Sequence, residues 1–335
     1  MENSTRFVCI CMSPAIDATV KLPRAPKGEG EIFKDVAEEE NVGGKAVNVA
    51  RWLALRGAKV ECGGLLGEDN DRPFVKELEK YRIVDRFVRV PGSTRRNEMV
   101  TWPGGSVKLN RAAFPMLGKD GSWSSKLELE KGMIPLSNSN SKLELCKELG
   151  KDDVVILSGS LPPAVPKDFY AKAVAHFKSL GCTTVLDASG EAMKLALEAG
   201  PDLIKPNAEE CEPLIGFVPK TAEEFAKATA LLRKKVAHVV ISDGGAGAWF
   251  DGEFVAAPKV DVVDTTAAGD TLLAEYCWRM FGGSAFAKAS TSAKAKADKS
   301  ADERESGRWA VAAGSAACTM PGGAPPPCGL VDSLR

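Results

Sequence analysis

The sequence is poor in histidine, with two among 335 residues, and this limits the chemistry that it can carry. His176 lies within a helical pattern, and His238 begins an apolar run. Catalytic triads built on imidazole and histidine-rich metal sites are therefore not expected. If the protein performs acid–base chemistry, carboxylates should carry it.

Cysteine pairs with metal-binding spacing are also missing. The nine cysteines are scattered without a Cys-x-x-Cys pair, and Cys9 and Cys11 alternate with apolar residues. This alternation is typical of a strand and not of a zinc site. The cysteines are predicted to be buried, reduced thiols.

The chain lacks an excess of charge and a long hydrophobic run. Lys and Arg number 44 and Asp and Glu 45, so no positive field for nucleic acid or an anionic membrane is expected. No apolar run approaches the roughly 18 residues of a membrane-spanning helix. The apolar stretch 7–12 is too short and too mixed for a secretory signal. The sequence therefore predicts a cytoplasmic protein without nucleic acid or a membrane as partner.

Four short apolar runs in the second half of the chain each end in a polar residue. Helical patterns such as 167–180 and 221–236 alternate with them, which predicts a parallel sheet covered on both faces. The runs and the residues that follow them are 154–157 before Ser158, 183–186 before Asp187, 202–204 before Lys205 and 238–241 before Ser242. Ligands of such sheets bind beyond the carboxyl ends of the strands, although each polar residue could also serve as a turn former or cap.

The remaining segments suggest a single domain, 1–335, with a small added sheet. Residues 17–40 and 88–110 contain short β-like pieces with many charges, and we expect them to form a lid over the open edge of the main sheet. The polar segment 137–142 is predicted to be a loop. The low-complexity segment 285–306 is predicted to be an exposed insertion in a helical region that resumes near Trp309.

The segment 264–275, Asp-Thr-Thr-Ala-Ala-Gly-Asp-Thr-Leu-Leu-Ala-Glu, is the most informative one. It follows a strand-like run, 260–263, and opens an apolar helix, whose first amides and dipole would form an anion site. Asp270 would lie beside a bound phosphate and could accept the proton of an attacking hydroxyl. The small residues could instead make a tight turn, with Asp270 as a favourable acid at the helix N-terminus. The segment alone leaves both interpretations open.

This segment resembles the second signature of the PfkB (ribokinase-like) carbohydrate kinases, and the run 43–50 resembles the first. Five further runs resemble the branch that contains fructose-1-phosphate kinase and tagatose-6-phosphate kinase. They are 13–17, 94–97, 158–163, 187–192 and 205–210. The resemblance implies a ribokinase-like α/β three-layer sandwich with a mainly parallel central sheet and a small β-sheet lid. It also implies ATP-dependent phosphorylation of a hydroxyl on a phosphohexose.

The resemblance assigns roles to individual residues. Asp270 would be the general base, and Ala267, Ala268 and Gly269 would form the anion hole. The substrate-binding residues would be Asp17, Gly44, Lys45, Asn48 and Ser158, with Arg95 and Lys108 on the sugar's phosphate and Lys34 reaching across a homodimer formed through the lid. Taken without the family, Asp17 could be a turn residue, Asn48 a helical polar residue, and the basic residues solvated lid charges.

The resemblance also implies a site for ATP and magnesium. The ATP-binding residues would be Lys205, Asn207, Ser242, Gly244, Gly247, Gly269 and Gly314, with the adenine near Gly314 and Cys318. Asn207 and Glu210 would organise Mg²⁺ through water, since magnesium keeps several waters and takes few protein ligands. Their alternative role is helix capping by Asn207 beside an exposed Glu210.

Two positions depart from the family pattern, and two other functions stay open. Ala46 and Ala267 stand where glycine is more usual, and Ala46 would be harmless if it is helical. A ribokinase-like kinase of an unphosphorylated sugar or nucleoside is one alternative. A non-catalytic protein that binds a nucleotide or sugar is the other, because a fold alone does not establish activity.

Overall fold

The structure is a computed structural model that describes residues 5–111, 149–163, 165–282 and 295–335, with side chains from residue 302 in the last range. The predicted loop 137–142 and the first part of the predicted insertion, 285–294, lie outside the described residues. Within those ranges, no helix is both long enough and apolar enough to cross a bilayer.

A nine-stranded sheet forms the centre of the molecule. Its strands in chain order are β1 (Arg6–Cys11), β4 (Lys59–Gly67), β5 (Val84–Val90), β8 (Asp153–Ser158), β9 (Thr183–Asp187), β10 (Leu203–Ile204), β11 (His238–Ser242), β12 (Gly247–Phe250) and β13 (Glu253–Ala256). Across the sheet the order is β13-β12-β11-β10-β9-β8-β1-β4-β5. The strands pair in parallel except at β11–β12 and β12–β13.

Helices cover both faces of this sheet. They are α1 (Lys45–Leu55), α2 (Arg72–Lys80), α3 (Phe169–Ser179), α4 (Gly190–Leu197), α5 (Ala208–Ile215), α6 (Ala222–Leu232), α7 (Ala268–Phe281), α8 (Ala295–Ala317) and α9 (Cys328–Leu334). Side chains of α1, α2 and α7 to α9 share one buried cluster, and those of α3 to α6 share another. Strand β1 divides its side chains between the two, because neighbouring residues of a strand point to opposite faces. The predicted α/β three-layer arrangement is confirmed.

A second sheet of four strands lies apart from the first. It consists of β2 (Ala15–Lys21), β3 (Ala37–Gly43), β6 (Arg96–Trp102) and β7 (Gly105–Leu109), in the order β3-β2-β6-β7. We call it the lid sheet. The predicted lid range 88–110 begins too early, because residues 88–90 belong to β5 of the central sheet.

Two other predictions about local structure were wrong. The run 260–263 is not a strand, and Val262 and Val263 are more than 60% exposed. The helix predicted to resume near Trp309 already begins at Ala295, and Ser306, within the predicted exposed insertion, is buried. The sequence did not predict this helix because the segment has no periodic apolar face, although its alanines and lysines favour helix.

Helices α1 and α7 pack side by side and run in the same direction. Asn48 contacts Asp270, and four residues later Trp52 donates to Glu275, Nε1 to Oε2, at 2.9 Å. Glu275 is fully buried and also accepts from Arg279 at 2.6 Å, so its charge is compensated. These contacts bring the N-termini of both helices to the carboxyl edge of the central sheet.

Candidate active site

The carboxylate of Asp270 lies at the first turn of α7 and is 6% exposed. Its Oδ2 accepts a hydrogen bond of 2.7 Å from Asn48 Nδ2, while no described residue donates to Oδ1. Burial, followed by the negative charge of Asp187, raises the pKa of Asp270 to about 6, against the opposing effects of Lys45, Asn48 and Lys205. The group is therefore a buried carboxylate whose Oδ1 accepts no hydrogen bond from the described residues and whose pKa lies close to neutrality.

The backbone before Asp270 forms the turn in which the sequence predicted an anion hole. Ala267 has a φ of 65°, a left-handed conformation that favours glycine and explains why glycine is more usual at this position. Among the described residues, the amides of Ala267 and Gly269 have no hydrogen-bond partner, while Ala268 N donates to Thr265 O at 3.3 Å. Two of the three predicted amides are thus available to a ligand, and the third makes a long internal bond.

A lysine lies beside these amides. Lys205 is 4% exposed, and a Cβ added to Gly269 would lie 3.4 Å from Lys205 Nζ. The absence of a side chain at Gly269 therefore leaves the space between the ammonium group and the helix N-terminus open. Because both carry positive potential, this space suits a phosphate group.

Asp187, at the end of β9, connects the charged groups of the site. It is fully buried, and its Oδ1 lies 3.2 Å from Lys45 Nζ and 3.3 Å from Lys205 Nζ. Ser158 Oγ donates to its Oδ2 at 3.2 Å. Burial opposes ionisation, but Lys205 and Lys45 outweigh it and keep the pKa of Asp187 below its usual value. Asp187 therefore holds two lysines from different parts of the chain in one place.

Sequence reasoning missed Asp187 as a site residue. It was noted as the polar residue after the run 183–186 and within a run that resembles the family branch, but it was given no role of its own, unlike Ser158 and Lys205. That position at the carboxyl end of a parallel strand was the available signal. Its partner Lys45 is 142 residues away in sequence, so the contact itself could not be read from the pattern.

The predicted sugar-contacting residues surround the start of α1. Asp17, on β2, accepts from Asn97 Nδ2 at 2.8 Å, and a Cβ added to Gly43 would lie 2.0 Å from Asp17 Oδ2. Gly44 has a φ of 119°, and an added Cβ would lie 2.8 Å from Cys11 Sγ. A side chain at position 43 would displace the Asp17 carboxylate, and the positive φ of Gly44 favours glycine there. Ala46 is buried within α1, so this departure from the family pattern is accommodated by helical backbone.

The basic residues predicted for the sugar's phosphate do not all lie in one place. Lys108 is exposed on β7 and lines a small cavity together with Asp17 and Asp264. Arg95 donates to the carbonyl oxygens of Ser13, at 3.2 Å, and Pro14, at 3.3 Å. Lys34 is exposed in the connection between β2 and β3, and none of the described contacts brings it to this cavity.

The residues predicted to bind ATP make turns, close packing contacts and backbone hydrogen bonds. An added Cβ at Gly314 would lie 3.1 Å from Ala268 O, so this glycine allows close packing of α8 on α7. Gly247 has a φ of 136° and lies against Val255, and Gly244 has a φ of 51° after the end of β11. Ser242 N donates to Pro206 O at 3.1 Å.

An open cleft lies near the predicted adenine position. It has a volume of about 560 Å³ and is lined by residues that include Val260, Val263, Thr319 and Leu330. Cys318 precedes the lining residue Thr319, and the carbonyl oxygen of Cys318 accepts a hydrogen bond of 2.8 Å from Val263 N. Val260 and Val263, from the run that the sequence suggested as a strand, therefore contribute apolar surface to a cleft.

Asn207 and Glu210 form a capping box at the start of α5. Asn207 Oδ1 accepts from Glu210 N at 2.7 Å, and Glu210 Oε2 accepts from Asn207 N at 2.9 Å. The alternative interpretation of Asn207 as a cap is therefore correct for its backbone contacts. The second carboxylate oxygen of Glu210 has no hydrogen bond within the described part of the chain. Burial lowers the pKa of Lys45, but Asp187, Asp270 and then Glu210 raise it above its usual value. Hard oxygen donors beside the lysines fit a magnesium ion that keeps most of its waters.

Comparison with known proteins identifies the family. A family model described as pfkB family carbohydrate kinase matches residues 130–327. The chain is 33% identical over 276 residues to 1-phosphofructokinase of Escherichia coli strain K12, which covers 81% of this chain and 82% of that protein. The chain belongs to the pfkB family. It is accordingly a sugar kinase.

Solved structures of pfkB-like kinases share the fold. Phosphofructokinase-2 from Escherichia coli, in complex with fructose-6-phosphate, superposes with a TM-score of 0.76 at 22% identity, covering 99% of this chain and 98% of that one. Ribokinase from Giardia lamblia superposes with a TM-score of 0.71 at 16% identity, covering 99% of this chain and 100% of that one. The predicted ribokinase-like fold is thereby confirmed.

Proposed function

We propose that the protein transfers the γ-phosphoryl group of ATP to a hydroxyl of a phosphorylated ketohexose, in the manner of a fructose-1-phosphate kinase. The observation that carries the proposal is the position of Asp270, a buried carboxylate beside two unpaired amides and the Lys205 ammonium group. The relative named 1-phosphofructokinase supports a phosphohexose as acceptor.

The chemical step follows from the two sides of this site. Oδ1 of Asp270 accepts the proton of the attacking sugar hydroxyl. The hydroxyl oxygen forms a bond to the γ-phosphorus of ATP, and the bond between the γ-phosphorus and the leaving ADP breaks. The amides of Ala267 and Gly269 stabilise the charge on the transferred group. With a pKa of about 6, Asp270 is ionised at pH 7.5 yet more basic than an ordinary aspartate.

The lysines support the step by holding the phosphates. Lys205 faces the anion hole, and Asp187 holds the ammonium groups of Lys205 and Lys45 in position. When bound, Mg²⁺ would neutralise part of the charge on the ATP phosphates, and Asn207 and Glu210 would hold it through water. The remaining predicted residues, Ser242, Gly244, Gly247 and Gly314, would shape the nucleotide side.

The lid sheet would cover the sugar and exclude water, which a phosphoryl-transfer site requires. Lys108 and Arg95 would bind the phosphate already present on the sugar, Lys108 from the lid sheet and Arg95 from its base. The exposed Val107 and Leu109, each 47% accessible, support contact of this sheet with a second subunit. Sedimentation that shows only monomer at working concentrations would count against the homodimer.

The test of the function is turnover of a panel of sugars and sugar phosphates with ATP and Mg²⁺. The proposal expects phosphorylation of a ketohexose phosphate, and Asp270→Asn should lower kcat by about 100-fold or more while ATP binding persists. Near-normal turnover in this variant would show that the base is assigned wrongly. A protein that only senses nucleotides would turn over no member of the panel.

Arg95→Ala distinguishes the proposal from a kinase of unphosphorylated sugars. Loss of a charged hydrogen-bond donor to the sugar's phosphate should raise KM for the phosphosugar by about tenfold to a hundredfold. KM for ribose or fructose should change little. An unchanged KM for every phosphosugar would favour the ribokinase-like alternative.

A further inference from the structure

Arg51 lies one turn after Asn48 on α1 and is 3% exposed. Its Nη2 donates to Asn48 Oδ1 at 2.5 Å and to Gly323 O at 3.0 Å, and its Nη1 donates to Glu77 Oε1 at 2.9 Å. A buried guanidinium group is costly unless its donors are used. Here Nη1 and Nη2 make these bonds, to Asn48 beside the base, to Glu77 and to a loop, while Nε has no hydrogen-bond partner among the described residues.

The contact with Asn48 decides which way its side-chain amide points. A guanidinium group has donors and no acceptor, so it can face only the amide oxygen. The amide nitrogen must then face the opposite way, where it donates to Asp270 Oδ2 at 2.7 Å. If the amide were reversed, its oxygen would face the carboxylate and its nitrogen the guanidinium, and both contacts would be repulsive.

The orientation of Asn48 in turn affects the base. The hydrogen bond from Asn48 is one of the contributions that lower the pKa of Asp270 against the effect of burial. It also occupies Oδ2, which leaves Oδ1 for a substrate hydroxyl. Losing the bond would make the carboxylate harder to ionise and leave it free to rotate.

The contact with Gly323 links Arg51 to the anion hole. Gly323 packs against the turn, because an added Cβ would lie 3.1 Å from Thr266 Cγ2 and 3.5 Å from Ala267 Cβ. Its neighbour Gly322 donates to Asp264 Oδ2 at 3.0 Å, and Asp264 Oδ1 accepts from Thr266 N at 2.9 Å. The loop that accepts from Arg51 is therefore bonded to the segment that precedes the unpaired amides.

We propose that Arg51 is a positioning residue for phosphoryl transfer, which fixes the Asn48 amide against Asp270 and holds the base in register with the anion hole. This inference rests on the proposed function, since it concerns the same base. Arg51 itself does not contact the reacting atoms; it acts through Asn48 and through Gly323.

The test is the dependence of kcat on pH in Arg51→Met, which keeps an apolar stem and removes the donors. We expect the acid limb of the profile to move to higher pH, as in Asn48→Ala, with kcat at pH 7 lower by about tenfold and KM changed less. In the double variant Asn48→Ala/Arg51→Met, the acid limb should lie at the same pH as in Asn48→Ala alone, because Arg51 acts through the Asn48 amide. The proposal would be overturned if the acid limb of Arg51→Met stayed at the wild-type pH, or if the double variant showed the sum of the two single shifts.

Two further variants separate positioning from general stability. Glu77→Gln breaks the ion pair of Arg51 but leaves its bond to Asn48, so the limb should remain at the wild-type pH even if the melting temperature falls. Arg51→Lys is expected to fold if the methionine variant does not. Its single nitrogen cannot replace both Nη1, which bonds Glu77, and Nη2, which bonds Asn48, so the limb should move in part. A shift in Glu77→Gln as large as in the Arg51 variants would assign the effect to stability and reject positioning.

Failure of this inference can be told apart from failure of the function. If Asp270→Asn remains active, the base itself is wrong, and the proposal for Arg51 falls with it. If Asp270→Asn is inactive while the profile of Arg51→Met matches the wild type, the function stands and the positioning role is rejected.

Discussion

Asn48 Nδ2 and Asp270 Oδ2 lie 2.7 Å apart and join the first turns of two parallel helices. The two residues are 222 positions apart in sequence. One belongs to the segment that resembles the first family signature and the other to the second. The hydrogen bond therefore connects the predicted sugar-binding segment directly to the predicted base, and it influences the protonation of that base.

The activity of the wild type should depend on one ionisation near neutrality. Because Asp270 must be ionised to accept a proton and its pKa is raised to about 6, we expect kcat to fall about tenfold per pH unit below pH 6. Steady-state rates between pH 5 and pH 8 with saturating substrates would measure this limb. A profile that stays flat down to about pH 4.5 would contradict the assignment, since an ordinary aspartate titrates near 3.9.

Asp187→Asn should change that profile in the opposite direction to Asn48→Ala. The charge of Asp187 raises the pKa of Asp270, whereas the Asn48 hydrogen bond lowers it. We expect the acid limb to move below pH 6 in Asp187→Asn and above it in Asn48→Ala. The asparagine variant should also lose stability, because it leaves two lysines without their shared counter-charge. Shifts of the same sign in both variants would contradict the electrostatic explanation.

Asp270→Asn should stabilise the folded protein above neutral pH. The folded pKa of about 6 exceeds the unfolded value of about 3.9, so between these values the folded state holds a proton that the unfolded chain has released. Stability of the wild type therefore falls as pH rises through this window, and the asparagine variant avoids that loss. The advantage should reach about 3 kcal/mol at pH 7.5 and disappear at about pH 3, below the unfolded pKa.

Denaturant unfolding of both proteins at several pH values would measure this difference. Asp332→Asn, an exposed change on α9, is the matched control and should show no such trend. A difference between wild type and Asp270→Asn that is independent of pH would contradict the raised pKa.

Ala267→Gly should stabilise the protein and retain activity. Ala267 has a φ of 65°, and removing its Cβ relieves a left-handed conformation that costs roughly 1 kcal/mol. The neighbouring change Ala268→Gly is the control, because Ala268 begins α7 and glycine lowers helix stability there. Thermal melts should therefore move in opposite directions. A lower melting temperature in Ala267→Gly would show that the alanine is not strained.

Apolar runs in the sequence predicted several strands of the central sheet, because a strand buried in a sheet consists largely of apolar residues. The apolar runs at 154–157, 183–186 and 238–241 became β8, β9 and β11, since a strand covered on both faces must be apolar throughout. The same rule failed at 260–263, where Val262 and Val263 are exposed in an irregular segment beside a cleft. An apolar run can therefore also lie at an open surface, and apolarity alone does not identify a strand.

By itself the sequence determined the α/β class, the alternation of strands and helices between residues 154 and 242, and the family, and it placed Asp270 at the start of a helix. Only the tertiary structure decided that Asp187 holds Lys45 and Lys205 together, that Arg51 orients Asn48, and that Ala268 uses its amide internally. The reason is physical. Backbone propensity and burial act over a few neighbouring residues, whereas hydrogen bonds and pKa values depend on groups that folding brings within a few ångströms from distant parts of the chain.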